Sequence, residues 1–173
     1  IVADRTAGAE RTDRTQFLAA TASLELARPL DAAARAIRLV LPLEKSLPAK
    51  RNALEAALGA YGRAEEYGVA QVTTASAFAM ADLYRDLGKS LLESDRPPDL
   101  DAEELEQYDV LLEEQAFPFE EKAIGIHERN ARLAAQGVYD EWVQKSYAEL
   151  AQLKPGRYAR AEVADAPRSE ERR

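Results

Sequence analysis

Chemistry in a chain of 173 residues without cysteine must come from histidine, carboxylates or hydroxyls, and here the supply is thin. The single histidine, His127, stands beside Glu128, a pairing that can mark a metal site or an acid–base couple. The spacing does not follow through. A His-Glu-x-x-His zinc helix needs a second histidine four residues on, where Ala131 stands. A di-iron bundle needs a glutamate three residues before, where Ile124 stands. The expectation for His127 is a packed imidazole with a hydrogen-bond partner. Glu113/Glu114 and Glu120/Glu121 are adjacent pairs. Neighbours on a helix diverge by about 100°, so neither pair can converge on one substrate atom, and both read as solvated helix faces. The eight glycines form no Gly-x-Gly phosphate cradle. No residue is assigned as catalytic, cofactor-binding or metal-ligating, and no cofactor is expected.

Charge is more informative. The formal net charge is −8 and the isoelectric point about 4.9, which disfavours a nucleic-acid partner because phosphate binding needs a basic face. The acidity is concentrated. From Glu93 to Glu128 thirteen acidic residues face only Arg96 and Lys122, a net −11, leaving +3 for the rest of the chain. That block is either a soluble surface or a docking face for a basic segment of another protein, where charge speeds encounter more than it adds affinity. Candidate partner-binding residues there are Glu103, Glu104, Glu106, Tyr108, Glu113 and Glu114.

The elements that would position these residues are helical. Abundant Ala, Leu, Glu and Arg with few β-branched residues predict an all-α fold. Residues 1–11 are polar and expected to fray. A helix starts after Thr12 or Asp13, with Phe17, Leu18, Thr21 and Leu24 on one face, and Pro29 either kinks it or divides it before Val40. A third segment runs from near Ser46 to Tyr67, with Gly68 as its stop. A fourth, over about Val72 to Glu93, is apolar on several sides and so is expected between neighbours. Asp101 with Glu104 is a capping box that opens a fifth helix, with Leu105, Tyr108, Leu112 and Ala116 on its buried side. Pro118 kinks or breaks it, Gly137 ends it, and a last helix covers about Tyr139 to Leu153. Tyr61, Tyr84, Tyr108, Trp142 and Tyr147 fall mostly at core-periodic positions. The domain is thus expected over residues 12–155, with a charged, unstructured tail over 156–173. The opening Ile-Val-Ala and the lone methionine, Met80, suggest a piece of a longer protein.

One stretch has the spacing of a helix–turn–helix repeat: Ile126, Asn130, Leu133, Gly137, Tyr139, Ser146, Leu150 and Pro155. It resembles a tetratricopeptide repeat, although Arg129 and Trp142 stand where such repeats carry leucine and alanine. Ala77, Met80, Ala81 and Tyr84 resemble a second first helix. Over roughly residues 13–158 the chain is also similar to the C-terminal region of large bacterial cell-envelope tetratricopeptide proteins. The likeness is carried by Ala-Tyr-Gly-Arg-Ala-Glu-Glu-Tyr-Gly-Val-Ala from Ala60, by Glu-Gln-Tyr-Asp-Val-Leu-Leu-Glu-Glu-Gln-Ala-Phe-Pro-Phe-Glu-Glu-Lys-Ala from Glu106, and by Tyr-Asp-Glu-Trp-Val from Tyr139. The resemblance implies a tetratricopeptide-like α-solenoid of six to seven helices in an antiparallel helix–turn–helix array. It implies a periplasmic or cell-envelope scaffold that binds other proteins, such as subunits of an envelope complex, and no catalytic residues. Two alternatives are an oligomerising or capping domain of a larger array, and a ligand-binding helical bundle. No apolar run is long enough to span a membrane.

Overall fold

A computed structural model describes residues 1–159 of the chain, and every regular element among them is helical. Two short turns open the chain, α1 (Val2–Thr6) and a 3-10 turn (Gly8–Glu10). Four long helices follow: α2 (Asp13–Ala36), α3 (Leu43–Glu65), α4 (Ala70–Leu92) and α5 (Ala102–Arg132). A 3-10 turn (Leu133–Gln136) leads to α6 (Glu141–Leu153) and a last turn, α7 (Pro155–Tyr158). Beyond Tyr158 only Ala159 is described, so the tail expected over 156–173 lies mostly outside the described residues.

Local chemistry sets the boundaries. Thr12 caps α2 by accepting from the Thr15 N–H at 3.2 Å, and Thr15 Oγ1 reciprocates toward the Thr12 N–H at 3.0 Å. Asp101 and Glu104 form the capping box expected for α5. Gly68 and Gly137 take φ of 67° and 86°, the left-handed conformation that suits glycine at a helix end. Pro29 and Pro118 neither divide α2 nor break α5. Both rings are on the exposed side of their helices, where water can solvate the carbonyl left without its N–H donor.

Residues 1–11, expected to fray, are tied instead through Asp4. Its buried carboxylate accepts from Thr15 Oγ1 at 3.0 Å and lies 3.0 Å from Arg11 Nε.

The helices pack in chain order, α2 on α3, α3 on α4, α4 on α5 and α5 on α6, and α4 also touches both α2 and α6. The α2–α3–α4 core is built from small residues, Ala27, Ala34, Ala57 and Ala60, around Leu54, Tyr61, Leu83 and Leu87. Alanines at these crossings let helix backbones approach closely, which favours long, nearly unbroken contacts. A smaller cluster of Ile124, Ala131 and Leu150, with Leu153 and Tyr158 beside it, joins α5 to α6. The long helices have 24, 23, 23 and 31 residues. A repeat of about 34 residues must fit two helices and their turns, so these helices are much longer than one such unit holds. Among the described residues no helix is long and apolar enough to cross a membrane.

Candidate functional site

Three polar regions could carry function, and α4 anchors two of them. The first is a sealed junction of α4, α5 and α6. Asp140 caps α6 by accepting from the Trp142 and Val143 N–H groups, each at 3.0 Å, and its other oxygen accepts from Thr74 Oγ1 at 2.6 Å. Asn130 Nδ2 donates to the Thr74 carbonyl at 3.2 Å and to Ser146 Oγ at 2.9 Å. His127 Nδ1 lies 3.2 Å from the same Ser146 oxygen. His127 is 1% exposed, packed against Phe78, and its Nε2 has no hydrogen-bond partner among the described residues. Burial without a partner for the imidazolium pushes its pKa down from 6.5 to about 4. This is a neutral structural histidine, as the sequence predicts, and its ring nitrogens are closed to any solvent-borne substrate. Asn130 and Ser146, singled out in the repeat pattern, are here the polar bolt between α5 and α6.

The second region is a groove of about 240 Å³ beside α4, lined by Arg35, Asp82, Arg85, Asp86 and Lys89. Its charges are engaged. Arg35 bridges Asp31 and Asp82, the latter at 3.0 Å. Arg85 pairs with Glu149 of α6. Lys50 is buried on α3 and donates to Asp86 at 2.8 Å and to the Ala34 and Ile37 carbonyls at 3.3 and 3.1 Å. Those carbonyls belong to the open C-terminal end of α2, so one ammonium closes a helix end and ties three helices together. Tyr61 donates to Asp31 at 2.9 Å, and burial with that carboxylate pushes its phenol pKa up. The arrangement fastens helices, and the charges that line the groove already have partners. Among the described residues no three His, Asp or Glu side chains are grouped to hold a metal.

The third region is the outer half of α5. Every partner-binding candidate from the sequence lies on this helix. Glu103, Glu106, Glu113 and Glu114 are exposed, and Glu104 is exposed but turned back to accept from the Asp101 N–H at 3.0 Å. Tyr108 is half-buried, nearer the α4 side. Glu120 and Glu121 extend the same surface. Among the described residues none of these seven glutamates makes a salt bridge, while Asp109 is paired with Arg96 at 2.6 Å. What the sequence reading missed is apolar. Val110, Leu111 and Phe117 are 50%, 49% and 62% exposed, and Leu105, expected on the buried side, is 37% exposed. Only Leu112 and Ala116 of the half from Ala102 to Pro118 are buried. The signal was available as a seven-residue spacing, Val110, Phe117, Ile124, which places all three on one row of the helix.

No known protein family, curated protein or solved structure matches this chain. Of the three regions, the junction around His127 is buried and the groove beside α4 has its charges paired, which leaves the outer half of α5 with unengaged side chains.

Proposed function

We propose that this chain is a non-catalytic scaffold that docks another protein, built as a solenoid-like array whose helices are longer than those of a tetratricopeptide repeat, and acting in the bacterial cell envelope. The observation that carries the reading is the outer half of α5, where exposed apolar side chains stand among glutamates that make no salt bridge among the described residues. Monomer surfaces scatter single apolar residues, but three large ones half-exposed or more within eight residues of one helix, interleaved with glutamates, are more than that scatter. Packing in chain order with added α2–α4 and α4–α6 contacts supports an array, because alternate helices of a solenoid share a layer. The envelope assignment rests on the sequence phrases beginning at Ala60, Glu106 and Tyr139.

A second reading, an oligomerising or capping domain, is favoured by one observation on α2. Leu18, Ala22, Leu26, Pro29 and Ala33 fall along one outward face and all are exposed. A photo-crosslinking phenylalanine at position 117, or at position 18, of the parent protein in its native cell separates the two. Adducts with a different protein from 117 support docking. Adducts of chain with chain from 18, with none from 117, support oligomerisation. No adduct from either position overturns both. Recovery of the protein with the cytosolic fraction would overturn the envelope assignment.

A further inference from the structure

We infer that the uncovered half of α5 seats a basic amphipathic helix of another protein, which continues the line that α6 begins. The inference rests on the docking reading above and names the chemistry of its partner. It starts from the row of residues seven apart on α5, which runs Glu103, Val110, Phe117, Ile124 and Ala131. Its last two members are 4% exposed each and lie under Leu150, with Leu153 against the same cluster. Phe117 and Val110, on the same row, are 62% and 50% exposed. The change falls where α6 stops at Leu153. The chain then turns back, with Lys154 and Tyr158 reaching Glu128 at 3.5 and 3.3 Å, so nothing described continues along the row.

The backbone of α5 decides the conformation of the occupant. A helix face offers almost no free N–H or C=O groups, so an extended segment laid on it would lose water from its own backbone without gaining partners. A helix satisfies its backbone internally and presents apolar side chains at i, i+3, i+4 and i+7 to a matching face. The open stretch from Ala102 to Glu121 has room for a helix of about 20 residues, roughly 30 Å long. Beside its first turns an open hollow of about 390 Å³ is lined by Glu103, Glu106, Gln107 and Val110.

Charge decides the sequence of the occupant. Glu106, Glu113 and Glu120 flank the Val110–Phe117 row on one side, and Glu114 and Glu121 on the other. A covering helix would meet acids along both edges, so it must carry Lys or Arg there. A second copy of α5 would bring like charge onto like charge. The chain's own residues 160–173 carry four acids, four bases and one large aliphatic residue, Val163, and match neither requirement.

The test uses the full chain and a fluorescent synthetic helix of about 20 residues, with leucine on one face and lysine on the other. A leucine/glutamate peptide of the same pattern and a proline-interrupted leucine/lysine peptide serve as comparisons. Fluorescence anisotropy is expected to show saturable one-to-one binding of the uninterrupted leucine/lysine helix alone. The double variant Val110→Ser/Phe117→Ser should weaken it about tenfold or more, since truncating the apolar centre of an interface removes most of its energy. The double variant Glu113→Gln/Glu114→Gln should weaken it about threefold at low salt and less at high salt. All four positions are exposed, so thermal unfolding of both variants should coincide with that of the parent. Absence of binding, equal binding to Val110→Ser/Phe117→Ser, or equal binding of either comparison peptide would overturn the inference. If position 117 nevertheless crosslinks to another protein, docking stands and only the proposed partner chemistry falls.

Discussion

α4 and the outer half of α5 are both rich in charge, and they use it in opposite ways. On α4, Asp82, Arg85, Asp86 and Lys89 each have a partner, and three of those partners, Arg35, Glu149 and Lys50, come from three other helices. On α5, Glu103, Glu106, Glu113, Glu114, Glu120 and Glu121 have no ionic partner among the described residues, and the apolar residues between them are open. Charge on α4 is spent inside the fold, holding helices together. These six glutamates tie no other element and face outward, which is what a surface kept for encounter requires.

The sharpest way to break this contrast is to remove one α4 carboxylate. Asp86→Ala leaves Lys50 buried with only two carbonyls, and breaking a buried pair in this way is expected to cost about 3–4 kcal/mol. A denaturant midpoint close to that of the parent would show that the α4 pairs do not hold the helices. Next is the seven-residue row of α5. Ile124→Ala should cost about 3 kcal/mol, whereas Phe117→Ala, a larger deletion at an exposed site, should cost under about 0.5 kcal/mol. Similar losses at both positions would mean that Phe117 is covered by the chain itself.

The third test is pH. His127 has a folded pKa near 4 against 6.5 when unfolded, so between those values the unfolded chain binds the proton more readily. Its neutral burial therefore costs nothing above about pH 6.5, and stability falls as pH drops toward 4. The loss should be about 2 kcal/mol between pH 7.5 and 5. It is read as the extra pH dependence of the parent over His127→Gln, whose carboxylates titrate in common. Parallel pH curves would place the histidine in contact with water. The smallest effect is expected on the outer face, where Glu113→Gln/Glu114→Gln should change stability by less than about 0.5 kcal/mol, slightly upward from relieved repulsion. A clear loss there would mean that these glutamates serve the fold after all.

Much of the architecture was legible because its signals are local. The boxes at Thr12 and Asp101 and the left-handed Gly68 and Gly137 are short-range backbone chemistry, and they mark helix ends wherever they occur. Pro29 and Pro118 were ambiguous because a proline's cost depends on what faces it, and the outward direction of a helix is a tertiary fact. The same limit hid the polar ties. Lys50 meets Asp86 across 36 residues and Thr74 meets Asp140 across 66, separations no periodicity can report. At the candidate site, the glutamates could be read from charge alone. Val110 and Phe117 show their shared row in the sequence but not their exposure, because an apolar residue at helical spacing looks like core until the neighbour that should cover it proves too short.

α5 has one more consequence, which is mechanical. It is a single rod of 31 residues, about 46 Å long, and Pro118 does not interrupt it. Its inner end is gripped by α4 and α6, while its outer end rests on α4 and, at Ala116, on Leu39 and the start of α3, with no α6 across from them. A partner pulling on the outer end therefore bends a cantilever, and the torque is met at the grip. That grip contains Asn130 and His127, bonded through Ser146 to α6 and through Thr74 to α4. The rod is a lever whose fulcrum is a set of buried hydrogen bonds, so a load on the acidic face would be felt first by a few buried polar side chains.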